Sequence, residues 1–408
     1  MGNPGLNADA ALPEVGISSR AARRIDFGVL WVFSNEVQTR AEDLPAVHLC
    51  RFTQARRVVA CGYYNRHSLI AGRVLARGDE PGLGAVLIRR LREALLRRKP
   101  GASSGALRLV FSEADLLPGL VVDYYPPYAV LQSNTAGMDL LLPIVMELLP
   151  GMIADVFAAP LQGLVLRCDA GMRRLEAVDL FNRICFGDPE RMAAAPLVED
   201  GVRYVADLIG GQKTGFFLDQ RENRRFLESH VRTLAAARVL DLCCYSGGWG
   251  LRALKAGAAH VTFVDQSREA LQLLQQGLAA NQVDPGRAAV VRRDLFDFLA
   301  ADMAAYDVVV ADPPAFVKSR RNLAQAAKAY QKLNRLAWRR LKPGGLLMSC
   351  SCSHHLSPAD FMALLTTAVA KEGGAAQVIY RGGQAQDHPR LLSMPETDYL
   401  KCVGLRRI

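Results

Sequence analysis

At 408 residues, half of them apolar and about a fifth charged, the chain has the composition of a soluble globular protein and the length of two or three domains. Charged residues interrupt its apolar runs before any reaches the ~20 residues of a membrane helix, and its first residues lack the basic start and apolar core of a secretory signal. The formal charge of +10 and a pI near 9.3 favour an anionic partner.

The nine cysteines stand at 50, 61, 168, 185, 243, 244, 350, 352 and 402. Their number is odd and no pair has zinc-ribbon spacing. Together with the missing signal, this predicts buried thiols in a reducing cytoplasm and no disulfide framework.

Residues 1–18 read as a loose, disordered tail. Ile25 to Val37 alternates apolar and polar residues, which predicts a strand, and further β-like patches cover Arg57–Tyr63 and Leu69–Leu75. Gly84 to Lys99 predicts a helix rich in arginine; residues 51–100 hold twelve Lys or Arg against three acids. Residues 19–98 therefore form a small β-rich domain with a basic helix, a candidate nucleic-acid surface.

KPGASSG at 99–105 marks a turn or linker. Strands are expected at Leu107–Phe111, Leu120–Tyr124, Tyr128–Gln132, Leu164–Cys168 and Ile184–Gly187, with a helix over Met138–Leu149. Residues 99–190 read as a small α+β linking domain without chemistry of its own. Glu113, Asp115 and Asp123 in it are expected to be turn and cap residues.

From 191 onward short apolar strands alternate with periodic helices: strands at Arg238–Leu242, Val261–Asp265, Ala289–Arg293, Val308–Ala311 and Gly345–Ser351, helices at 248–257, 268–281, 295–302 and 322–341. Single helices between strands predict an α/β, mostly parallel seven-stranded sheet of Rossmann-like type, with the ligand crevice at the carboxyl ends of the strands. RVLDLCCYSGGWG, 238–250, is the strand–turn–helix that begins it. Three strands end in acids: Asp241, Asp265 and Asp294, the second 24 residues after the first, where a carboxylate can accept ribose hydroxyls. A dinucleotide loop would read G-x-G-x-x-G; here Asp241, Cys243, Tyr245 and Gly247 occupy the run and only the last glycine is in place. That favours a smaller adenosine ligand, S-adenosylmethionine, over a dinucleotide. Gln266 and Leu295, next to two of the acids, join the expected cofactor contacts, and Cys243 and Cys244 read as packing residues.

The fourth strand runs into ADPPAF, with Asp312, Pro313, Pro314 and Phe316. Two prolines make a rigid extended loop without N–H donors, able to aim a carboxylate at a planar base while Phe316 stacks on it. The fifth runs into SCSCSHH, which puts Cys350 and Cys352 on one strand face with period two. A metal would need a second ligand pair, so a nucleophilic thiolate is the expected chemistry. Cytosine C5 is a poor nucleophile until a thiolate adds to C6, whereas methylation of an exocyclic amine needs no cysteine. Between Asp312 and Asp360 stand nine Lys or Arg and no acid; Lys318, Arg320 and Arg321 follow directly on the loop and suit RNA phosphates.

With these residues assembled, the chain resembles the cytosine-5 methyltransferases of large-subunit ribosomal RNA, S-adenosylmethionine-dependent enzymes of class I with an N-terminal PUA domain. GQKTGFFLDQRENR, 211–224, is similar to the family's G-x-K-T-G-[YF]-[YF]-L-D-Q-R block, which implies that Phe217, Asp219, Gln220 and Arg221 lie near the cofactor. RVLDLCCYSGG is similar to its cofactor loop, and DPPAFVKSR to its base-binding loop, with Ala315 where Lys is usual. SCS, 351–353, is similar to its nucleophile motif, which selects Cys352 over Cys350 as the nucleophile; Asp312 is the carboxyl expected to protonate or hydrogen-bond N3 of the base. DHP, 387–389, and YLK, 399–401, match its tail. LWVFSNEV, 30–37, resembles a PUA strand, with Val29 and Leu30 where the pattern has His and Pro. SEADLLPGLVVD, 112–123, resembles a family hairpin, with Ser112 and Leu116 where it has glycines. The resemblance implies a methyltransferase domain over 191–408, S-adenosylmethionine as cofactor, no metal, and ribosomal RNA, naked or in an assembly particle, as partner. A guanine N-methyltransferase, a non-catalytic assembly factor and an NAD-dependent enzyme are the competing readings, and a homodimer is compatible with the chain.

Overall fold

A computed structural model describes residues 12–80, 82–100, 105–301, 303–316 and 323–408. The chain divides into two compact units, Met1–Ala193 with Asp387–Thr397, and Ala194–Gln386 with Asp398–Ile408.

The first unit begins with β1 (Glu14–Gly16), inside the stretch expected to be a tail: it pairs in parallel with β3 and buries Val15 completely. Where a strand over Ile25–Val37 was expected, α1 (Ser19–Asp26) comes first, followed by a two-residue β2 (Trp31–Val32). The Ser18 side chain accepts from Ala21 N–H and starts the helix, which turns Ala21, Ala22 and Ile25 inward. β3 (Val47–Gln54), β4 (Arg57–Asn65) and β5 (Gly72–Arg77) complete a sheet of order β1-β3-β4-β5-β2. The arginine-rich helix α2 (Leu83–Arg98) buries Val86, Leu87, Leu91 and Leu95 along one face.

β6 (Leu107–Phe111), β7 (Leu120–Tyr125), β8 (Tyr128–Ser133), β9 (Gly163–Cys168) and β10 (Phe181–Phe186) form a second sheet, order β10-β9-β8-β7-β6. α3 (Ala136–Phe157) has the length and apolar composition of a membrane span. Yet Leu141, Val145, Leu149 and Ile153 on its inner face belong to the buried core of this unit. α4 (Pro189–Ala193) ends the unit's first segment. Asp115 and Asp123 are fully engaged rather than mere turn residues. Arg98 binds Asp115 through two bonds of 2.6 Å, and Arg108 binds Asp123 through two of 2.7 Å. Ser112 and Leu116, at the two family glycine positions, adopt left-handed φ values of 46° and 60°, a conformation costing an L-residue about 1–2 kcal/mol.

The second unit opens with the hairpin β11 (Ala195–Glu199) and β12 (Val202–Ala206), then α5 (Arg221–Val231). β13 (Arg238–Leu242), α6 (Gly250–Lys255), β14 (His260–Asp265), α7 (Arg268–Ala280), β15 (Ala288–Arg292), α8 (Leu295–Ala301), β16 (Tyr306–Ala311), α9 (Leu323–Arg339), β17 (Leu341–Ser351), α10 (Pro358–Ala370), β18 (Ala376–Gly382) and β19 (Lys401–Arg407) follow. They build the seven-stranded sheet β15-β14-β13-β16-β17-β19-β18. The five strands of the expected α/β run pair in parallel, and β19 is antiparallel to both neighbours. Strand order reverses at β13, so the connections that leave the paired strands β13 and β16 diverge and open a crevice at their carboxyl ends.

Candidate active site

The loop after β13 has the backbone a close ligand approach needs. Cys243, Tyr245 and Gly247 take left-handed φ values of 58°, 49° and 84°, a strained conformation for the first two that bends the chain tightly between β13 and α6. Tyr245 N–H donates to Asp265 Oδ2 at 2.9 Å, and Ser267 N–H donates to Oδ1 at 2.9 Å. The carboxylate at the end of β14 is thereby locked in place. α6 packs so tightly on β14 that a Cβ on Gly250 would stand 2.1 Å from the Phe263 ring. Asp241 accepts from Gly250 N–H at 2.8 Å and is fully buried; burial pushes its carboxyl up to about 8.

The GQKTGFFLDQR block lies over this loop. Gln212 N–H donates to the Tyr245 hydroxyl at 3.0 Å, and the Phe217 ring meets that of Tyr245 edge-on at 5.5 Å. Lys213, at φ 51°, puts its Nζ 2.7 Å from Asp219 Oδ2 and 4.6 Å from the centre of the Phe217 ring. Tyr399 donates its hydroxyl to the same Asp219 oxygen at 2.5 Å. Beneath, Arg224 and Arg252 share the carboxylate of Glu199 at 2.6 and 2.7 Å, a buried network that holds α5 and α6 to the β11–β12 hairpin. Arg224 also donates to the Phe217 carbonyl at 3.0 Å.

The DPP loop and the end of β17 face the same space. Asp312 accepts from Trp249 Nε1 at 2.9 Å and from Gln220 Nε2 at 3.1 Å on both oxygens. Asn223 Nδ2 in turn donates to Gln220 Oε1 at 2.6 Å, which fixes the amide's direction. Withdrawal from water pushes Asp312 up to about 6; Trp249 opposes the shift and neighbouring Asp219 adds to it. Around Cys352, Tyr330 of α9 meets Ser353 Oγ at 3.1 Å and Ser351 Oγ at 3.0 Å, and Ser349 donates to Asn334 at 2.6 Å. The serines thus pin the strand end on which the thiol sits. Burial raises the Cys352 thiol above its usual range; Lys213 pulls it down, and Asp312 and Asp219 push it up.

These elements enclose a cavity of about 570 Å³. Phe217, Asp219, Gln220, Tyr245, Asp265, Gln266, Asp294, Leu295, Asp312, Pro313, Pro314, Phe316 and Cys352 line it. Asp241 and Gly247 do not: Asp241 braces the loop from below. Arg221 is buried against Glu199, 3.6 Å away, instead of facing the ligand space. Lys318, Arg320 and Arg321 fall outside the described residues. Cys350 and Cys352 do not share a face, because β17 ends at Ser351 and its alternation stops there; Cys350 is buried with its sulfur 3.3 Å from that of Cys402. Cys243 and Cys244 contribute to the wall, their thiols kept neutral by burial. Lys213, Trp249 and Phe296 also line the cavity, as do Arg224 and Arg293; the sequence reading of the site missed them. Lys213 and Trp249 sit inside the 211–224 and 238–250 motifs, so their side-chain type next to the glycines was the available signal.

The donor set fits an adenosine carrying an amino acid. Asp265 and Asp294 stand at adjacent strand ends for ribose hydroxyls, Val264, Leu295 and Phe296 supply apolar wall, and Asp219 and Asp312 present negative charge to a cation. A mostly parallel sheet with such acids around one crevice defines a Rossmann-like transferase site for an adenosine cofactor. A family model described as S-adenosylmethionine-dependent methyltransferase matches residues 179–393, and one described as a PUA-like domain matches 15–77. Ribosomal RNA large subunit methyltransferase I of Aeromonas hydrophila subsp. hydrophila is 32% identical over 389 residues, covering 92% of this chain and 94% of its own. The protein of that name from Klebsiella pneumoniae subsp. pneumoniae is 33% identical over 355 residues, covering 85% and 86%. Among solved structures, one described as a SAM-dependent methyltransferase from Streptococcus mutans superposes with a TM-score of 0.79, and a methyltransferase complexed with SAH with 0.81. Each is 20% identical and covers 97% of this chain and all of its own, and speaks to the fold. The chain belongs to the S-adenosylmethionine-dependent methyltransferases, in the family of the ribosomal RNA large subunit methyltransferase I proteins, with a PUA-like domain ahead of a Rossmann-like one.

Proposed function

We propose that this protein methylates C5 of a cytosine in large-subunit ribosomal RNA through a covalent bond between Cys352 and C6 of the base. One observation carries the reading: Cys352 lines the same cavity as the cofactor acids and the DPP loop. A methyltransferase acting on an exocyclic nitrogen has no use for a thiol there. The named function of the relatives and the run of nine cations without an acid between Asp312 and Asp360 support ribosomal RNA as substrate.

Pro313 and Pro314 keep the loop extended, and Phe316, 4.8 Å from the Tyr330 ring, offers a face for the cytosine. The Cys352 thiolate adds to C6, forming the S–C6 bond, while the C5=C6 electron pair shifts toward C5 and the ring. The protonated Asp312 carboxyl donates to N3 and takes up that charge. Bound S-adenosylmethionine supplies the electrophilic methyl that C5 takes. C5 then loses its proton to water or a cavity carboxylate, the C5=C6 bond re-forms as Cys352 leaves as thiolate, and N3 returns its proton to Asp312.

Ribosomal RNA lacking the modification, incubated with the protein and labelled S-adenosylmethionine, is expected to yield 5-methylcytidine on nucleoside analysis. RNA carrying 5-fluorocytosine at the target should be trapped as a denaturation-resistant protein–RNA adduct that Cys352→Ala does not form. N-methylguanosine as product would move the methyl to a guanine nitrogen. Tight cofactor binding without any transfer would make the protein an assembly factor.

A further inference from the structure

The first unit has a cavity of its own, about 430 Å³, walled by the end of α1, β5, α2, the turn at Leu116 and the returning segment Leu391–Ser393. Its charged lining differs from that of the other cavity, where acids and cations are mixed. Arg77 and Arg90 line it, no carboxylate does, and among the described residues neither guanidinium forms an ion pair. Each is held by one backbone carbonyl: Arg90 Nη1 donates to Leu116 O at 2.6 Å and Arg77 Nη1 to Asp26 O at 3.2 Å. Their remaining N–H groups are left for a ligand. The cavity is built, not incidental: Ser393 Oγ donates to the carbonyl of Gly28 at 2.8 Å, and Leu30 N–H is 3.4 Å from Met394 Sδ.

A half-buried guanidinium beside like charges is unfavourable unless an anion joins it. Burial and the neighbouring Arg89 and Arg77 push Arg90 down to about 10; Glu93 and Glu80 act against this from beyond ion-pair distance. At the rim Phe27 is 82% exposed and Leu392 entirely so, an aromatic face and an apolar edge that no described residue covers. Two fork-shaped cations around an exposed phenyl ring suit a phosphate joined to a planar base, and the volume admits one nucleotide.

We propose that this cavity takes one unpaired nucleotide of the RNA substrate, its phosphate on Arg77 and Arg90 and its base on Phe27. The proposal rests on RNA being the substrate; it adds a docking point in the first unit that the chemistry in the second does not need.

Binding of a fluorescein-labelled single-stranded oligoribonucleotide from large-subunit ribosomal RNA to the full chain, by anisotropy across a salt series, tests it. Arg77→Gln and Arg90→Gln should each weaken binding about tenfold and flatten the logarithmic salt slope by about 0.7. Phe27→Ala should weaken binding about tenfold without altering that slope, and Phe27→Trp should restore it. Arg90→Lys keeps a charge but loses the fork and should fall in between. Calorimetric binding of S-adenosylmethionine checks that each variant is folded. With 4-thiouridine in the oligoribonucleotide, ultraviolet crosslinking should recover Phe27 or a neighbouring residue by mass spectrometry. Folded variants that bind with wild-type affinity and salt slope would overturn the subsite while leaving the methyltransferase reading intact. A wild-type protein that binds no ribosomal RNA would instead sink that reading. Inorganic phosphate competing as strongly as the oligoribonucleotide would overturn the nucleotide and leave an anion site only.

Discussion

The two cavities differ in charge: one is lined by acids and cations together, the other by cations alone. The lining of the second unit's cavity mixes Asp219, Asp265, Asp294 and Asp312 with Lys213, Arg224 and Arg293; Lys213 is paired with Asp219 and Arg224 with Glu199. That of the first unit carries two arginines and no acid. The difference follows from what each must hold. A sulfonium cofactor with an ammonium group brings positive charge, and Asp265 and Asp294, fixed by backbone N–H groups, and Asp219, held by Lys213 and Tyr399, are in place for it without reorganising. A nucleic-acid phosphate brings negative charge, and guanidiniums tied to carbonyls, not to carboxylates, stay available for it. In both, the protein holds charges short of neutrality and the ligand completes them.

The strongest way to break this contrast is at the thiol. Cys352→Ala should lower methyl transfer by about a thousandfold or more while calorimetric cofactor binding persists; a variant that keeps its rate would remove the covalent step. Next, Asp265→Ala should raise the Kd for S-adenosylmethionine about a hundredfold, since it strips the ribose partner and frees the Tyr245 N–H. Its affinity for the oligoribonucleotide should not move, which is what separate cavities require.

The pH profile sharpens the assignment of Asp312. If Asp312, at about 6, acts protonated while Cys352 acts as thiolate with a raised pKa, the two fractions change oppositely. Above pH 6 the carboxyl loses protons as fast as the thiol gains ionisation, so kcat/KM should stay level until the thiol titrates and fall below pH 6. Asp312→Asn should abolish the plateau and give a limb rising about tenfold per pH unit across the same window. A rising limb in the wild type would show Asp312 working as a carboxylate.

The smallest effect concerns stability. Asp241, fully buried and raised to about 8, binds a proton more tightly folded than unfolded. Its contribution is therefore complete below the ordinary carboxylate range and is lost as pH rises to 8, with a slope of at most about 1.4 kcal/mol per pH unit. Asp241→Asn keeps an acceptor for Gly250 N–H and should flatten that slope in denaturant titrations between pH 5 and 8.

The sheet of the second unit was legible because parallel strands covered on both faces need unbroken apolar runs; Val308–Ala311 and Val239–Leu242 show this directly. Its antiparallel β18 and β19 were not, since β19 carries Arg406 and Arg407 at one end and Lys401 at the other. The first unit misled at Ile25–Val37, where an alternating pattern hid a helix end, a turn and two residues of strand. Its start was set by Ser18 and by burial of Ala21, Ala22 and Ile25, neither of which alternation detects. In the site, motif residues gathered around one cavity, but Arg221 and Asp241 turned away. Arg221 joins the Glu199 network, and Asp241 ties the strand end to the first N–H of α6.

The amino-acid pattern alone determined the order of elements, the acids at strand ends, the rigid DPP loop and the thiol beside it, because each is written in short-range spacing. Only the tertiary structure decided which motif residues reach the cavity and which turn away from it, that Asp241 and Asp312 are withdrawn from water, and that a returning segment at 387–397 closes a second, cationic cavity. Those outcomes depend on where a strand stops and on what chain segments hundreds of residues apart bury together. Burial, charge neighbours and hydrogen-bond partners are properties of that packing and have no spacing in the sequence.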